Sequence, residues 1–70
     1  MKIDHYTYRI AWSLADKEYV GLCEEFPSLS WLEKTQEAAL AGIRQAVADV
    51  VKEMRSASEA IPAPISVKRY

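Results

Sequence analysis

Few side chains in this sequence are of the kinds that perform chemistry, and their spacing scatters them. His5 is the only histidine and Cys23 the only cysteine. A catalytic nucleophile needs a neighbouring base to activate it, and no serine or cysteine here has a second base beside it. His5, close to the amino end, reads as an exposed residue. Cys23 sits among apolar residues with no adjacent cation to lower its pKa, so it reads as a small buried hydrophobe. Glu24 and Glu25 are adjacent, and neighbouring residues of a strand point to opposite faces. They therefore do not form one carboxylate pair. A two-metal nuclease gathers several carboxylates around its ions, and the positions of Asp4, Asp16 and Glu33 supply no spacing that would gather them. With Gly21 and Gly42 as the only glycines, no glycine-rich phosphate cradle is present. No catalytic residue, metal or cofactor is expected. What remains is the chemistry of recognition, carried by acidic and aromatic side chains.

The elements that position those side chains follow from periodicity. Tyr6, Tyr8, Ile10 and Trp12 occupy every second position, with Thr7, Arg9, Ala11 and Ser13 between them. That period of two predicts a strand over Tyr6–Ser13. Its aromatic face is expected to form the core, or an interface with another chain, where Tyr and Trp are enriched. Leu14-Ala15-Asp16-Lys17 suits a hairpin turn although it lacks glycine, and a second strand is predicted from Glu18 to Glu24. Gly21 inside that strand points to a bulge or a close backbone neighbour. Pro27 cannot donate to a sheet ladder, so pairing is interrupted at Glu25-Phe26-Pro27-Ser28. Leu29–Leu32 is a third short strand.

Thr35 is placed to cap a helix, with Glu37 near its positive end. Leu40, Ile43, Val47, Val50, Val51 and Met54 then draw one apolar stripe over about five turns. No glycine marks the helix stop near Ser56–Glu59. Ile61-Pro62-Ala63-Pro64 is extended, because each proline biases its predecessor away from helix. Ile65-Ser66-Val67 alternates and is expected to return as a short edge strand. The expected architecture is α+β in two layers, β-β-β-α-β: a three-stranded antiparallel meander, one long helix and a C-terminal edge strand.

Seventy residues allow one domain, residues 1–70, with a small core. Half the residues are apolar and 27% charged, which rules out a disordered chain. One cysteine leaves no disulfide framework and no multi-thiolate zinc site. No apolar run is long enough to span a membrane, and the first five residues do not form a signal-peptide core, so a cytoplasmic location is expected. The net charge of −1 tells against direct binding of DNA or RNA, which calls for a basic excess. Its distribution is uneven. Residues 16–37 contain Asp16, Glu18, Glu24, Glu25, Glu33 and Glu37 against Lys17 and Lys34, while the segments on either side are net basic. Such a middle steers a basic protein partner toward it, and it also serves simply as a solvated surface. A sheet this short with an exposed edge also favours pairing with a second copy, as a homodimer or higher homo-oligomer.

Several motifs occur in a characteristic order: Tyr8-Arg9-Ile10 leading to Trp12, Glu18-Tyr19-Val20-Gly21-Leu22-Cys23, Glu25-Phe26-Pro27-Ser28, and Thr35-Gln36-Glu37-Ala38-Ala39-Leu40. In this order and spacing the chain resembles the HicB-type antitoxin domain. It departs from the family pattern at Ser28, where glycine is usual, and at Glu33-Lys34, where Gly-Asp is common. The resemblance implies a partial ribonuclease H-like fold without that enzyme's carboxylate set. It further implies a non-enzymatic antitoxin that binds and neutralises a HicA-type ribonuclease, a small basic protein that cleaves messenger RNA. The DNA-binding domain carried by many relatives is not among these residues. Under this reading Glu24, Glu25 and the Phe26-Pro27 corner are the candidate partner contacts, with Asp16 and Glu18 as rim charges. Phe26 has an alternative role as a plug of the core beneath the helix end. Rival readings are a stand-alone nucleic-acid-binding module that uses the sheet aromatics, and a degenerate nuclease.

Overall fold

The computed structural model describes residues 3–65. A 3-10 turn at Ile3–His5 leads into strand β1 (Tyr8–Ser13), followed by β2 (Glu18–Cys23), β3 (Ser30–Glu33) and helix α1 (Gln36–Ser56). The strands form an antiparallel sheet in the order β1-β2-β3. Tyr8 lies opposite Cys23, Ile10 opposite Gly21, and Gly21 in turn opposite Trp31. The α+β meander-plus-helix class matches the sequence expectation. The first strand starts two residues later than expected, because Tyr6 donates its amide to Ile3 O (3.1 Å) in the preceding turn. The expected fourth strand is not seen at Ile65, which lies outside any strand, and its other two residues, Ser66 and Val67, lie outside the described residues.

Local chemistry explains each boundary. In the β1–β2 turn Lys17 takes φ 55, the left-handed conformation that glycine would adopt without strain. The turn closes through Lys17 N to Ser13 O (2.7 Å) and through the Ser13 hydroxyl donating to Asp16 Oδ2 (2.7 Å). Thr35 is extended (φ −127, ψ 158), and its Oγ1 accepts from Ala38 N at 3.1 Å, the expected helix cap. At the other end Ser58 adopts φ 57 in place of a glycine, and Glu59 N reaches back to Met54 O (2.8 Å).

The core lies between the helix and the Cys23 end of the sheet. Tyr6, Cys23, Phe26, Ile43, Val47 and Val51 are buried together, with Ile3, Tyr8, Leu29, Val50, Met54 and Ile61 packed around them. Tyr6 and Phe26 meet edge to face with ring centroids 5.5 Å apart, and the Tyr6 hydroxyl donates to Pro62 O at 2.7 Å. Of the predicted apolar stripe, Ile43, Val47 and Val51 point inward, but Leu40 is 38% exposed and Ala39 is buried in its place. The sheet beneath explains this shift. A Cβ at Gly21 would lie 2.5 Å from the Ala39 carbonyl oxygen and 2.9 Å from Ile43 Cγ2, so the helix presses directly on the glycine. The close neighbour foreshadowed by Gly21 is this helix backbone. A large residue at position 39 would hold the two layers apart.

Glu25 departs from its expected place on the surface. It is only 9% exposed, and its carboxylate works inside the fold. Oε1 accepts from Thr7 N (2.8 Å) and the Cys23 thiol (3.5 Å); Oε2 accepts from Ile65 N (2.8 Å) and the Thr7 hydroxyl (3.3 Å). Burial opposes ionisation, yet the amides of Ile65 and Thr7 outweigh it and hold the pKa below the ordinary 4.5.

Two tests follow. Gly21→Ala is expected to lower the unfolding free energy by about 1–3 kcal/mol through overpacking; a urea midpoint equal to that of the wild type would show slack between helix and sheet. For Glu25 the folded pKa lies below the unfolded one, so its contribution is complete above pH 4.5 and disappears as pH falls through the lower folded value. Glu25→Gln is therefore expected to cost about 1–3 kcal/mol at neutral pH, with the two melting curves converging in acid; a difference independent of pH would contradict an ionised clasp.

Candidate protein-docking site

The six candidate contact residues do not form one cluster. Asp16 and Glu18 stand at the β1–β2 turn, whereas Glu24 and Pro27 lie past the opposite end of β2. At roughly 3.3 Å per residue, Glu18 and Glu24 are about 20 Å apart. Glu25 and Phe26 are buried between the layers, Phe26 in the plugging role that was its alternative reading. Neither is placed to meet a partner. Glu24 is exposed, on the face opposite to Glu25, as strand alternation requires.

The turn end of the sheet is where apolar surface stays open. Trp12, Tyr19 and Glu33 lie side by side across the three strands, on the face that also carries α1. The helix lies mainly over β2 and β3, and it leaves Trp12 53% exposed against the expectation of a core residue. The Trp12 and Tyr19 rings pack edge to face at 5.1 Å, so the indole is held in place by its neighbour. Leu14, in the turn, is 78% exposed. Trp31, across the sheet, rests its ring on Gly42 and donates its indole N–H to Glu33 Oε2 at 2.8 Å. Together these residues make a ledge of Trp12, Tyr19 and Leu14, bordered by Glu33 and by Asp16 in the turn, while Glu18 lies on the opposite face of the sheet. Aromatic and aliphatic anchors inside a charged rim are the usual make-up of a binding hot spot. An acidic rim favours a cationic protein surface and repels phosphate.

Sequence reasoning left the face of Trp12 open as core or as an interface, and did not single out Leu14. Period-two alternation assigned Trp12 to the correct face, and nothing in it states how far along that face the helix reaches. The signal that was available is the position of Leu14 in a turn, where a large apolar side chain has no strand neighbour to cover it.

The groups with reactive potential are placed as follows. Cys23 is buried at the sheet–helix interface, and burial raises its pKa, keeping the thiol protonated. His5 is exposed in the amino-terminal 3-10 turn. Among the described residues no three His, Cys, Asp or Glu side chains converge in a group able to hold a metal ion, and no helix is long and apolar enough to cross a membrane.

A second feature lies at the other end of β2. Arg9, Leu22, Cys23, Glu24 and Pro27 line an open hollow of about 230 Å³ on the sheet face turned away from the helix. Arg9 and Glu24 form no ion pair with each other or with any other described residue.

No family model, curated protein or solved structure matches the chain.

Proposed function

We propose that the chain is an antitoxin-like domain of a type II toxin–antitoxin system, which binds and neutralises a HicA-type messenger-RNA-cleaving ribonuclease. The observation that carries this reading is the ledge of Trp12, Tyr19 and Leu14 with Asp16 and Glu33 at its border and Glu18 nearby on the other sheet face. A small basic enzyme offers the complementary surface: cations for the rim and an apolar patch for the indole and leucine. The motif order that resembles HicB, and the β-β-β-α succession of elements, support the same assignment. On this reading the domain is a HicB-like partial ribonuclease H fold. Inhibition is stoichiometric. Acidic rim groups accelerate encounter, the apolar ledge slows release, and the bound domain blocks the enzyme's access to RNA. No cofactor enters.

The test is titration of a HicA-type ribonuclease with this chain, reading both complex formation and cleavage of a messenger RNA. Wild type is expected to bind with a dissociation constant of about 1 μM or tighter and to stop cleavage at one equivalent. Trp12→Ala is expected to weaken binding by about 30-fold, as for a hot-spot residue. Asp16→Lys with Glu18→Lys is expected to slow association steeply and to remove most of its salt dependence. Absence of a complex at about 10 μM would refute the proposal. RNA binding by the chain alone, weakening steeply with salt, would favour the nucleic-acid reading instead.

A further inference from the structure

The face of the sheet opposite α1 has no covering layer among the described residues. Strand register lays it out as a grid. Arg9, Leu22 and Ser30 form one row across the strands, and Ala11, Val20 and Leu32 form the next. Glu24 lies one step beyond Leu22 along the central strand, and Glu18 one step beyond Val20. Leu22, Val20 and Ala11 are half-buried and Leu32 is exposed. The centre is thus apolar, with charges at its ends.

We infer that this face binds a second copy of the chain, the two sheets crossing at nearly a right angle so that Arg9 of each copy pairs with Glu24 of the other. Among two-fold axes centred over β2, charge placement selects this arrangement. A two-fold axis between the sheets and parallel to the strands would set Glu24 on Glu24 and Glu18 on Glu18. An axis perpendicular to the strands would set Glu24 on Glu18. Both oppose like charges, which is destabilising. A diagonal axis acts differently. Arg9 is offset from Leu22 by one strand, about 4.8 Å, and Glu24 by two residues, about 6.6 Å. Rotation about the diagonal that exchanges these offsets brings Arg9 over Glu24 twice, places Leu22 on Leu22 and brings the two Leu32 side chains together. The other diagonal leaves both charges unpaired. Orthogonal crossing is also one of the two ordinary ways in which sheets pack. The hollow between Arg9, Glu24 and Pro27, about 230 Å³, receives the partner's ionic side chains over an apolar floor. The self-complementary patch is what a two-fold dimer requires.

The inference uses a face separate from the Trp12 ledge and does not rest on the proposed function. The footprint, about 14 by 20 Å from strand spacing and rise, is smaller than that of stable specific interfaces, so association is expected to be weak, at about 100 μM and not at nanomolar levels. Sedimentation equilibrium of the full chain tests it. Wild type is expected to dimerise in that range, Arg9→Glu and Glu24→Arg each to weaken dimerisation by at least about tenfold, and the combined Arg9→Glu/Glu24→Arg variant to restore it. Monomeric wild type would overturn the proposal and leave the face to another partner. So would a dimer indifferent to the single reversals, or a combined variant no better than either one.

Discussion

Where α1 crosses β2, an added methyl carbon at Gly21 would lie 2.5 Å from the Ala39 carbonyl oxygen. The helix therefore rests on bare strand backbone, and its rotation about its own axis is set by that contact. With Ala39 pressed on Gly21, the residues four, eight and twelve positions later, Ile43, Val47 and Val51, enter the core in turn. Trp31 gains its seat on Gly42 from the same close approach. The remaining core, Tyr6 edge to face with Phe26, packs in one cluster with Cys23, Ile43, Val47 and Val51.

This offset of the core toward one end governs the surface. The end of the sheet near Cys23 is covered by helix, by the Phe26 corner and by the extended segment through Pro62. The turn end is not, and it is there that Trp12 and Leu14 stay open. The acidic residues divide in the same way. Asp16 remains in water and Glu18 stays half-buried at the turn end, while Glu25 is drawn inside because two backbone amides, from Thr7 and Ile65, need an acceptor. A charge that would be costly to bury alone is tolerated where such donors converge on it.

Much of this was legible in the residues. Alternation located the strands within two residues, Thr35 announced the helix, and Gly21 announced a close neighbour. The failures share one cause. Hydrophobicity alone prefers Leu40 to Ala39 for the buried stripe, but the phase of the helix is set by the space above Gly21, in which only a small residue fits. Glu25 reads as a surface charge because its partners are 18 and 40 residues away in the chain. Trp12 reads as core because periodicity gives the face of a strand and not the extent of what covers it. Each depends on a distance in space that local pattern does not contain.

The carboxylate of Glu25 holds amides from both the beginning and the end of the described chain, at the corner farthest from the β1–β2 turn. A linker or tag spliced after residue 65 would therefore depart from that corner, with the length of the sheet between it and the Trp12 ledge. Immobilisation through such an extension would present the ledge outward to whatever flows past.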